Sequence, residues 1–279
     1  MMQGLTRVAP LRSLARWAVM LGAAAALFAL IPQASRAEVD ELDACDAAYA
    51  ALDLAGSRAA AESVLAQGGG GYEARWRLAR VLIDLGNRET DKPTREGLYA
   101  AAERNARAAV AARPDDTWGH HYLAVAIGRL ALSAGGKKKI NMSKEVRDEA
   151  QRAVELDPEN DRALHVLGRW NREIAGLSPF LKLAAKVVYG GVPSGASHEK
   201  AVEYFERAMA IAPQRISHQL ELGVTFLELD QHDRAIRLFE SVLALPLSEP
   251  NDADYRLQAE RNLQKARQQA AQPKRDVSR

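Results

Sequence analysis

The sequence predicts an all-α protein, an α-solenoid in which antiparallel helix pairs stack one on the next. Three segments place a proline five residues after an alanine, and each proline is followed nine residues later by an apolar residue and then a small one. This fixed phase is typical of repeated helix pairs, because the proline ends one helix and the small residue allows two helices to cross closely. No segment alternates apolar and polar residues between turn signals, so no sheet is expected.

The repeat positions have mechanical roles and indicate a tetratricopeptide-repeat-like solenoid with insertions between paired helices. Small residues lie on the first helix of each pair and face small residues of the second helix. The aromatic side chain four residues further along, such as Phe205, is expected to fill the wider gap toward the next unit. The structural positions are Ala79, Ala124, Gly168 and Gly223 on first helices, Ala201, Phe205 and Ala208 on second helices, and Pro114, Pro158 and Pro213 in the turns.

Helical periodicity predicts four helix pairs between a capping hairpin and a C-terminal helix. The cap covers residues 38–67, with a break at Gly56, and the glycines at 68–71 are expected to form a linker that no helix would tolerate. The repeat domain covers 72–271, and residues 272–279 are expected to be a disordered tail. The expected helices are 72–85 with 98–112, 120–132 with 146–156, 162–175 with 198–211, 217–229 with 234–245, and 252–269 alone.

The spacing between the two helices of a unit is stretched in three of the four units. These insertions are expected to form loops on one edge of the stack, which repeat proteins often use for binding. The longest covers residues 176–197 and contains a short apolar segment from Phe180 to Val188 that predicts an extra helix carrying Lys182 and Lys186. This helix is either a lid over a groove or a plug between repeats.

The first 37 residues have the pattern of a secretory signal peptide. Three arginines precede an apolar run from Trp17 to Ile31, and the small residues Ser35 and Ala37 suit cleavage after Ala37. The run of 15 residues would be roughly 22 Å long as a helix, shorter than the hydrocarbon core of about 30 Å. We therefore expect a periplasmic or secreted protein, with an inner-membrane anchor facing the periplasm as the alternative.

Charge and cysteine content exclude several classes of function. Residues 1–37 hold four arginines and no acidic residue, so the net charge of +2 for the whole chain becomes −2 for the mature part. No basic face for nucleic acid is expected. The lone Cys45 cannot form an internal disulfide and is expected to be a small buried residue. No phosphate loop, metal motif or cysteine pair is present, so we expect no cofactor, no metal and no catalytic residue.

Candidate binding residues lie on the first helices and in the insertions. The tryptophans could pack in the core or contact a ligand, and His165 is expected to be a hydrogen-bonded core residue. The adjacent His120 and His121 point about 100° apart, which argues against a metal site. Lys137 to Lys139 form either a solvated turn or a contact for anionic groups. The candidates are Trp76, Arg80, Trp118, His121, Arg169, Trp170, Phe180, Lys182, Lys186 and Val187.

Several motifs in this order resemble the regulator of microtubule dynamics proteins. They are the segment 76–80 (Trp-Arg-Leu-Ala-Arg), the segment 164–170 (Leu-His-Val-Leu-Gly-Arg-Trp), and the Gly-Val-Pro-Ser of 191–194 that ends the apolar insertion. The similarity continues through residues 204–208 and 222–223 and covers roughly 40–267. The resemblance implies a helical repeat domain without enzymatic activity. Animal members associate with microtubules or organelle membranes, and some are linked to lipid binding.

Two functions are compatible with these observations. The first is a periplasmic scaffold or adaptor that binds a protein or peptide on its concave face, as extended solenoid surfaces commonly do. The second is a module for lipid or another apolar ligand, with the insertion of residues 176–197 as its lid. A membrane surface is a further candidate partner. An exported protein would not meet microtubules, so the family name is not expected to describe its activity.

Overall fold

A computed structural model describes residues 33–189 and 191–272, with side chains from residue 38 onward except those of residues 189 and 190. The predicted signal peptide up to residue 32 and the predicted tail from residue 273 lie outside the described residues. The described part contains twelve helices and no strand. They are α1 (Gln33–Ala50), α2 (Leu54–Ala66), α3 (Gly71–Arg88), α4 (Lys92–Ala112), α5 (Thr117–Ala131), α6 (Gly136–Leu156), α7 (Asp161–Ala175), α8 (Pro179–Tyr189), α9 (His198–Ile211), α10 (Ile216–Glu228), α11 (His232–Ala244) and α12 (Asp252–Ala270).

The helices form two layers. The pairs are α1 with α2, α3 with α4, α5 with α6, α7 with α9, and α10 with α11, and α12 packs against α11 and α10. The first helices of successive pairs, α3, α5, α7 and α10, contact one another and form the inner, concave layer. The predicted order of helix pairs is therefore confirmed. None of the helices within the described residues is both long enough and apolar enough to cross a bilayer.

Capping residues and prolines divide the chain where the repeat phase predicts. The second helices α4, α6 and α9 each end two residues before Pro114, Pro158 or Pro213. A polar side chain begins the following first helix in two of these turns: Asp116 accepts a hydrogen bond from the Trp118 amide, and Asn160 from the Ala163 amide. These bonds satisfy helix amides that have no partner within the helix.

The small residues allow the helices of a pair to approach closely, but the aromatic residues pack differently from the prediction. A Cβ atom on Gly168 would lie 2.7 Å from Cε1 of Phe205, and one on Gly223 would lie 2.6 Å from Cε1 of Phe239. Each aromatic ring therefore packs against the glycine of its own helix pair and does not fill the gap toward the next unit. Ala79, Ala124, Ala201 and Ala208 are fully buried, as expected.

Two predicted boundaries near the N-terminus are wrong. The break in the hairpin falls at residues 51–53, where Leu52 has a φ of 62°, and Gly56 lies in the first turn of α2. Asp53 explains this, because its carboxylate accepts a hydrogen bond from the Gly56 amide at 2.9 Å and begins the helix there. The glycine linker is also shorter than predicted, since Gly70 has a φ of 66° and α3 begins at Gly71.

Two of the three predicted insertion loops are helical extensions. Helix α4 begins at Lys92, where Asp91 accepts a hydrogen bond from the Thr94 amide and Pro93 occupies the first turn. Helix α6 begins at Gly136 and includes the three lysines. Only the segment 176–197 leaves the pattern between paired helices, and α8 lies within it as predicted.

Cys45 is buried in the core, also as predicted. Its thiol is fully inaccessible and lies 3.3 Å from the carbonyl oxygen and 3.3 Å from Oγ of Ser57. This pair joins α1 to α2 and so holds the capping hairpin together.

Candidate functional site

The concave layer encloses a cavity of about 760 Å³. Its walls come from α1, α3, α5, α6, α7, α10 and α12, and α8 covers one end. The loop of residues 245–251, here called the closing loop, crosses the other end. Two hydrogen bonds tie this loop to the first repeat: Arg88 donates to the carbonyl of Pro250 at 2.8 Å, and Asn251 donates to Asp84 at 2.8 Å. The first and last repeats therefore meet across the concave face.

The closing loop is held by its own cap. Asp252 is fully buried, and one of its carboxylate oxygens accepts the backbone amides of Ser248 and Glu249, both at 2.7 Å. This places the Glu249 side chain against the guanidinium groups of Arg162 and Arg215.

One end of the cavity is polar and predominantly basic. Arg215 contacts Asp161 at 2.6 Å as well as Glu249, and Arg80 contacts Asp46 at 2.7 Å. Burial and the nearby Arg162 guanidinium lower the pKa of Arg215. Three guanidinium groups, of Arg80, Arg162 and Arg215, are therefore gathered at this end, each beside a carboxylate. Across the whole cavity, the basic lining residues are Arg80, Arg129, Lys139, Arg162, Arg169 and Arg215, and the acidic ones are Asp84, Glu173 and Glu249.

Asp161, His218 and His165 form a hydrogen-bonded chain that ends at the cavity. His218 Nε2 lies 2.8 Å from the Asp161 carboxylate, and its Nδ1 lies 3.0 Å from Nδ1 of His165. Because Nε2 of His218 donates to the carboxylate, its Nδ1 accepts from His165, which leaves Nε2 of His165 as an acceptor. Burial alone would raise the pKa of Asp161, but the His218 hydrogen bond and the charge of Arg215 lower it to about 2.

The cavity histidines are held neutral. Burial lowers the pKa of His165 well below its usual value, with His218 and the neighbouring arginines acting in the same direction. Burial also lowers the pKa of His218. For His121, burial and then the Arg162 charge lower the pKa to about 3. Its Nδ1 has no hydrogen-bond partner among the described residues.

The opposite end of the cavity is apolar. Trp170 is nearly buried, and its indole nitrogen donates to the Ser143 carbonyl at 2.8 Å, so the ring is fixed in the wall. Helix α8 closes this end with one face. Apolar residues lining this end are Val125, Leu132, Ile140, Val146, Val166, Ile174, Leu177, Leu181, Ala184, Ala185, Val188, Val192 and Pro193.

The structure brings only some of the sequence-predicted residues to this cavity. Arg80, His121, Arg169 and Trp170 line it, and so does His165. Trp76 and Trp118 do not line this cavity: the two rings stack on each other, with their centroids 5.5 Å apart.

The predicted residues of the insertion also lie outside the main cavity. Phe180 and Val187 are exposed on the outer face of α8. Lys182 and Lys186 line a small neighbouring depression with residues 191–196, and Lys182 donates to the Ala175 carbonyl at 2.9 Å.

Sequence reasoning missed the residues that make the basic end. Arg162, Arg215, His218 and Glu249 come from two different repeats and the closing loop. One signal was available: Arg162 and Arg215 follow shortly after Pro158 and Pro213, at the start of first helices that face the concave side. Among the described residues, no cluster of three metal-ligating side chains is present. The arrangement suits non-covalent binding of an anion joined to an apolar group.

The comparisons with known proteins agree with the fold. The chain is 28% identical over 190 residues to regulator of microtubule dynamics protein 1 of Bos taurus, covering 67% of this chain and 59% of that protein. It is 26% identical over 141 residues to protein 3 of Xenopus laevis, covering 50% of this chain and 30% of that protein. The chain thus spans less than two thirds of the length of these relatives.

A solved structure gives independent support. A thermophilic TPR protein of Thermus thermophilus superposes with a TM-score of 0.59 at 18% identity, covering 81% of this chain and 99% of that one. At this identity the likeness shows the fold, which is a TPR-like α-solenoid. The model of the regulator of microtubule dynamics protein 1–3 family matches residues 35–267, and the chain belongs to that family.

Proposed function

We propose that this chain is a non-enzymatic binding module whose concave cavity holds an amphiphilic anion, a carboxylate or phosphate attached to an acyl chain. The observation that carries the proposal is the division of one cavity into a basic end and an apolar end. The anionic head group of the ligand would lie near Arg80, Arg162 and Arg215, and its acyl chain would extend beneath α8. The volume of about 760 Å³ lies within the range of roughly 300–1,000 Å³ typical of small-molecule sites.

The guanidinium groups of the basic end supply hydrogen-bond donors for an anion. Arg162 and Arg215 already share Glu249, and Arg215 also contacts Asp161, so an anionic head group would compete with these carboxylates. Burial is the first cause of the lowered pKa values of His121, His165 and His218, and neighbouring arginines act in the same direction. A guanidinium group binds carboxylate and phosphate through two parallel hydrogen bonds.

A protein or peptide segment is the second candidate, and the TPR-like fold favours it. The closing loop and α8 both obstruct the concave face, because each crosses one end of the cavity. A long extended peptide would need to displace them. A chain terminus, with its carboxylate at the basic end and an apolar side chain beneath α8, would fit without such displacement.

Periplasmic location is part of the proposal and rests on the N-terminal 37 residues of the sequence alone. Cleavage after Ala37 would leave the cavity intact, because the first residue that lines it is Tyr49.

Filling the cavity tests the proposal. Gly128 lies in α5 at the apolar end, and a Cβ atom there would meet only Val146, at 3.8 Å. Gly128→Leu should therefore fold while its side chain occupies ligand space. We expect binding of a fluorescent long-chain fatty acid to weaken tenfold or more, about 1.4 kcal/mol. Titration monitored by fluorescence, with unlabelled palmitate as competitor, measures this.

Gly97→Leu is the matched control. Gly97 is also a helical glycine, in α4, with nothing within 4 Å of its Cβ position and no part in the cavity wall. Both substitutions gain helix propensity, up to about 1 kcal/mol. Equal affinity of the two variants, or no uptake of the probe by the unmodified protein, would count against a cavity for acyl chains. Displacement of the probe by carboxyl-terminal peptides but not by palmitate would favour the second candidate.

A further inference from the structure

The outer face of α8 carries an apolar stripe that contacts no other helix. Phe180 is 76% exposed, Leu183 61% and Val187 78%. These positions recur at spacings of three and four residues, so they lie on one side of the helix. The side that lines the cavity is a different one, formed by Leu181, Ala184, Ala185 and Val188. The stripe is thus additional to the cavity wall.

Lysines surround this stripe. The segments 135–144 and 175–197 together hold six of the ten lysines of the chain and no acidic residue. The two segments are neighbours, because α8 contacts α6 and both line the same end of the cavity. No carboxylate of the described residues pairs with these six lysines, whereas Lys92 on α4 pairs with Glu96 at 3.8 Å. The lysines are Lys137, Lys138, Lys139, Lys144, Lys182 and Lys186.

We infer that this face, formed by the stripe and the six lysines, docks on the surface of an anionic lipid bilayer. An apolar helical stripe flanked by lysines is the arrangement of helices that lie in the membrane interface. Lysine side chains there reach the head groups while their stems cover apolar surface, and their attraction to anionic lipid adds to apolar burial. Several arginines of the described residues do form ion pairs, such as Arg77 with Asp46, Arg162 with Glu249 and Arg172 with Glu221.

The charge of the face argues against a second copy of this chain as its occupant. A two-fold contact between two such faces would place the same residues opposite one another. Six lysines would then face six lysines without a carboxylate between them, which is unfavourable. An anionic bilayer supplies the opposite charge and an apolar layer together. This docking does not depend on what occupies the cavity.

A local probe distinguishes docking through this face from any other membrane contact of the full chain. Leu183→Cys labelled with the dye NBD reports the environment of the stripe, and Cys45 is buried away from the label. We expect blue-shifted, stronger emission with phosphatidylcholine vesicles that contain 30% phosphatidylglycerol, reversed by 0.5 M NaCl because salt screens the lysines. Leu257→Cys is the control, since Leu257 is 50% exposed on α12, away from this face, and its label should not respond.

Substitutions within the face test its two components. Lys137→Glu/Lys138→Glu should lower the vesicle affinity reported by the 183 label about tenfold or more, and Phe180→Asp/Val187→Asp should abolish the response. Far-UV circular dichroism checks that each variant folds. Three results would overturn the inference. The fluorescence of the label at position 183 could stay unchanged with anionic vesicles, or change equally with vesicles of phosphatidylcholine alone. It could also rise with protein concentration in the absence of vesicles, which would indicate a second copy of the chain. Vesicle docking should persist in Gly128→Leu, so failure of the cavity proposal and failure of docking are separable.

Discussion

Adjacent histidines on α5 have opposite electrostatic environments. His120 lies 2.6 Å from Glu149, and this hydrogen bond, opposed by burial, raises its pKa. His121 faces the cavity, where burial and then Arg162 lower its pKa to about 3 from the ordinary value of 6.5. A one-residue step along a helix turns the side chain by about 100°, which is enough to exchange an acidic neighbour for a basic one. The sign of each shift determines how each residue affects stability.

The pH dependence of unfolding should reflect this difference. Below pH 6.5 the unfolded chain protonates His121 and the native chain does not, so stability is full above pH 6.5 and falls toward pH 3. The slope for this group is about 1.4 kcal/mol per pH unit. We expect His121→Leu to flatten the curve of unfolding free energy between pH 6 and 4. Urea denaturation at each pH measures it.

The neighbouring residue provides the control. Because the pKa of His120 is raised, its contribution is present below pH 6.5 and is lost as pH rises through the native value. His120→Leu should therefore remove a fall in stability as pH rises above 6.5 and leave the slope between pH 6 and 4 unchanged. A loss of stability in His121→Leu that is the same at pH 4 and pH 8 would show that the cavity does not hold this histidine neutral.

Helix α8 differs from every other element of the solenoid in its packing. None of its side chains from Pro179 to Val188 is buried, and Leu181 and Val188 remain 53% and 63% exposed although they line the cavity. The neighbouring α9 buries Ala201, Phe205 and Ala208. An element with so little buried surface opens locally at low free-energy cost. Such a helix can admit a ligand to the apolar end and close behind it.

Hydrogen exchange can test this behaviour of α8. We expect the α8 amides to exchange faster than those of α9 in the free protein, and to slow when palmitate occupies the cavity, because the acyl chain adds apolar contacts to Leu181 and Val188. Mass-spectrometric exchange of peptides covering 179–189 measures the change. Peptides from α2, remote from the cavity, should be unaffected. Ligand binding that leaves α8 exchange unaltered would contradict its role as the lid.

The helices could be predicted from the sequence where residues within or next to each helix mark its start, its end or its packing. The prolines at 114, 158 and 213, the small residues at 168 and 223, and the apolar segment within 176–197 are all local patterns, and the structure confirms the elements they predict. Helix α4 begins at Lys92, before the predicted start at residue 98, because Asp91 and Pro93 form a helix start. This signal is also local, but it lies in a segment that the repeat spacing assigns to an insertion. The basic end could not be predicted, because Arg162, Arg215 and Glu249 converge only once the solenoid curves.

At the scale of the whole molecule, the contact between the first and last repeats distinguishes this solenoid from an open groove. The closing loop makes two hydrogen bonds between residues that are far apart in the sequence. Arg88 bonds to Pro250, 162 positions away, and Asp84 bonds to Asn251, 167 positions away. Glu249 in the same loop bridges the seventh and tenth helices through Arg162 and Arg215. The curvature of the stack, the closing loop and α8 together turn a concave surface into a partly open cavity with two chemically different ends.

Photo-crosslinking maps directly where an acyl ligand lies in the molecule. A palmitate analogue carrying a diazirine near its terminal carbon would be activated on the protein, and the modified residues identified by peptide mass spectrometry. If the cavity binds amphiphilic anions, adducts should concentrate on α8 residues 181–188 and on Val125, Val166 and Trp170, and excess palmitate should suppress them. Adducts spread over the outer helices, or adducts that excess palmitate leaves unchanged, would contradict the account.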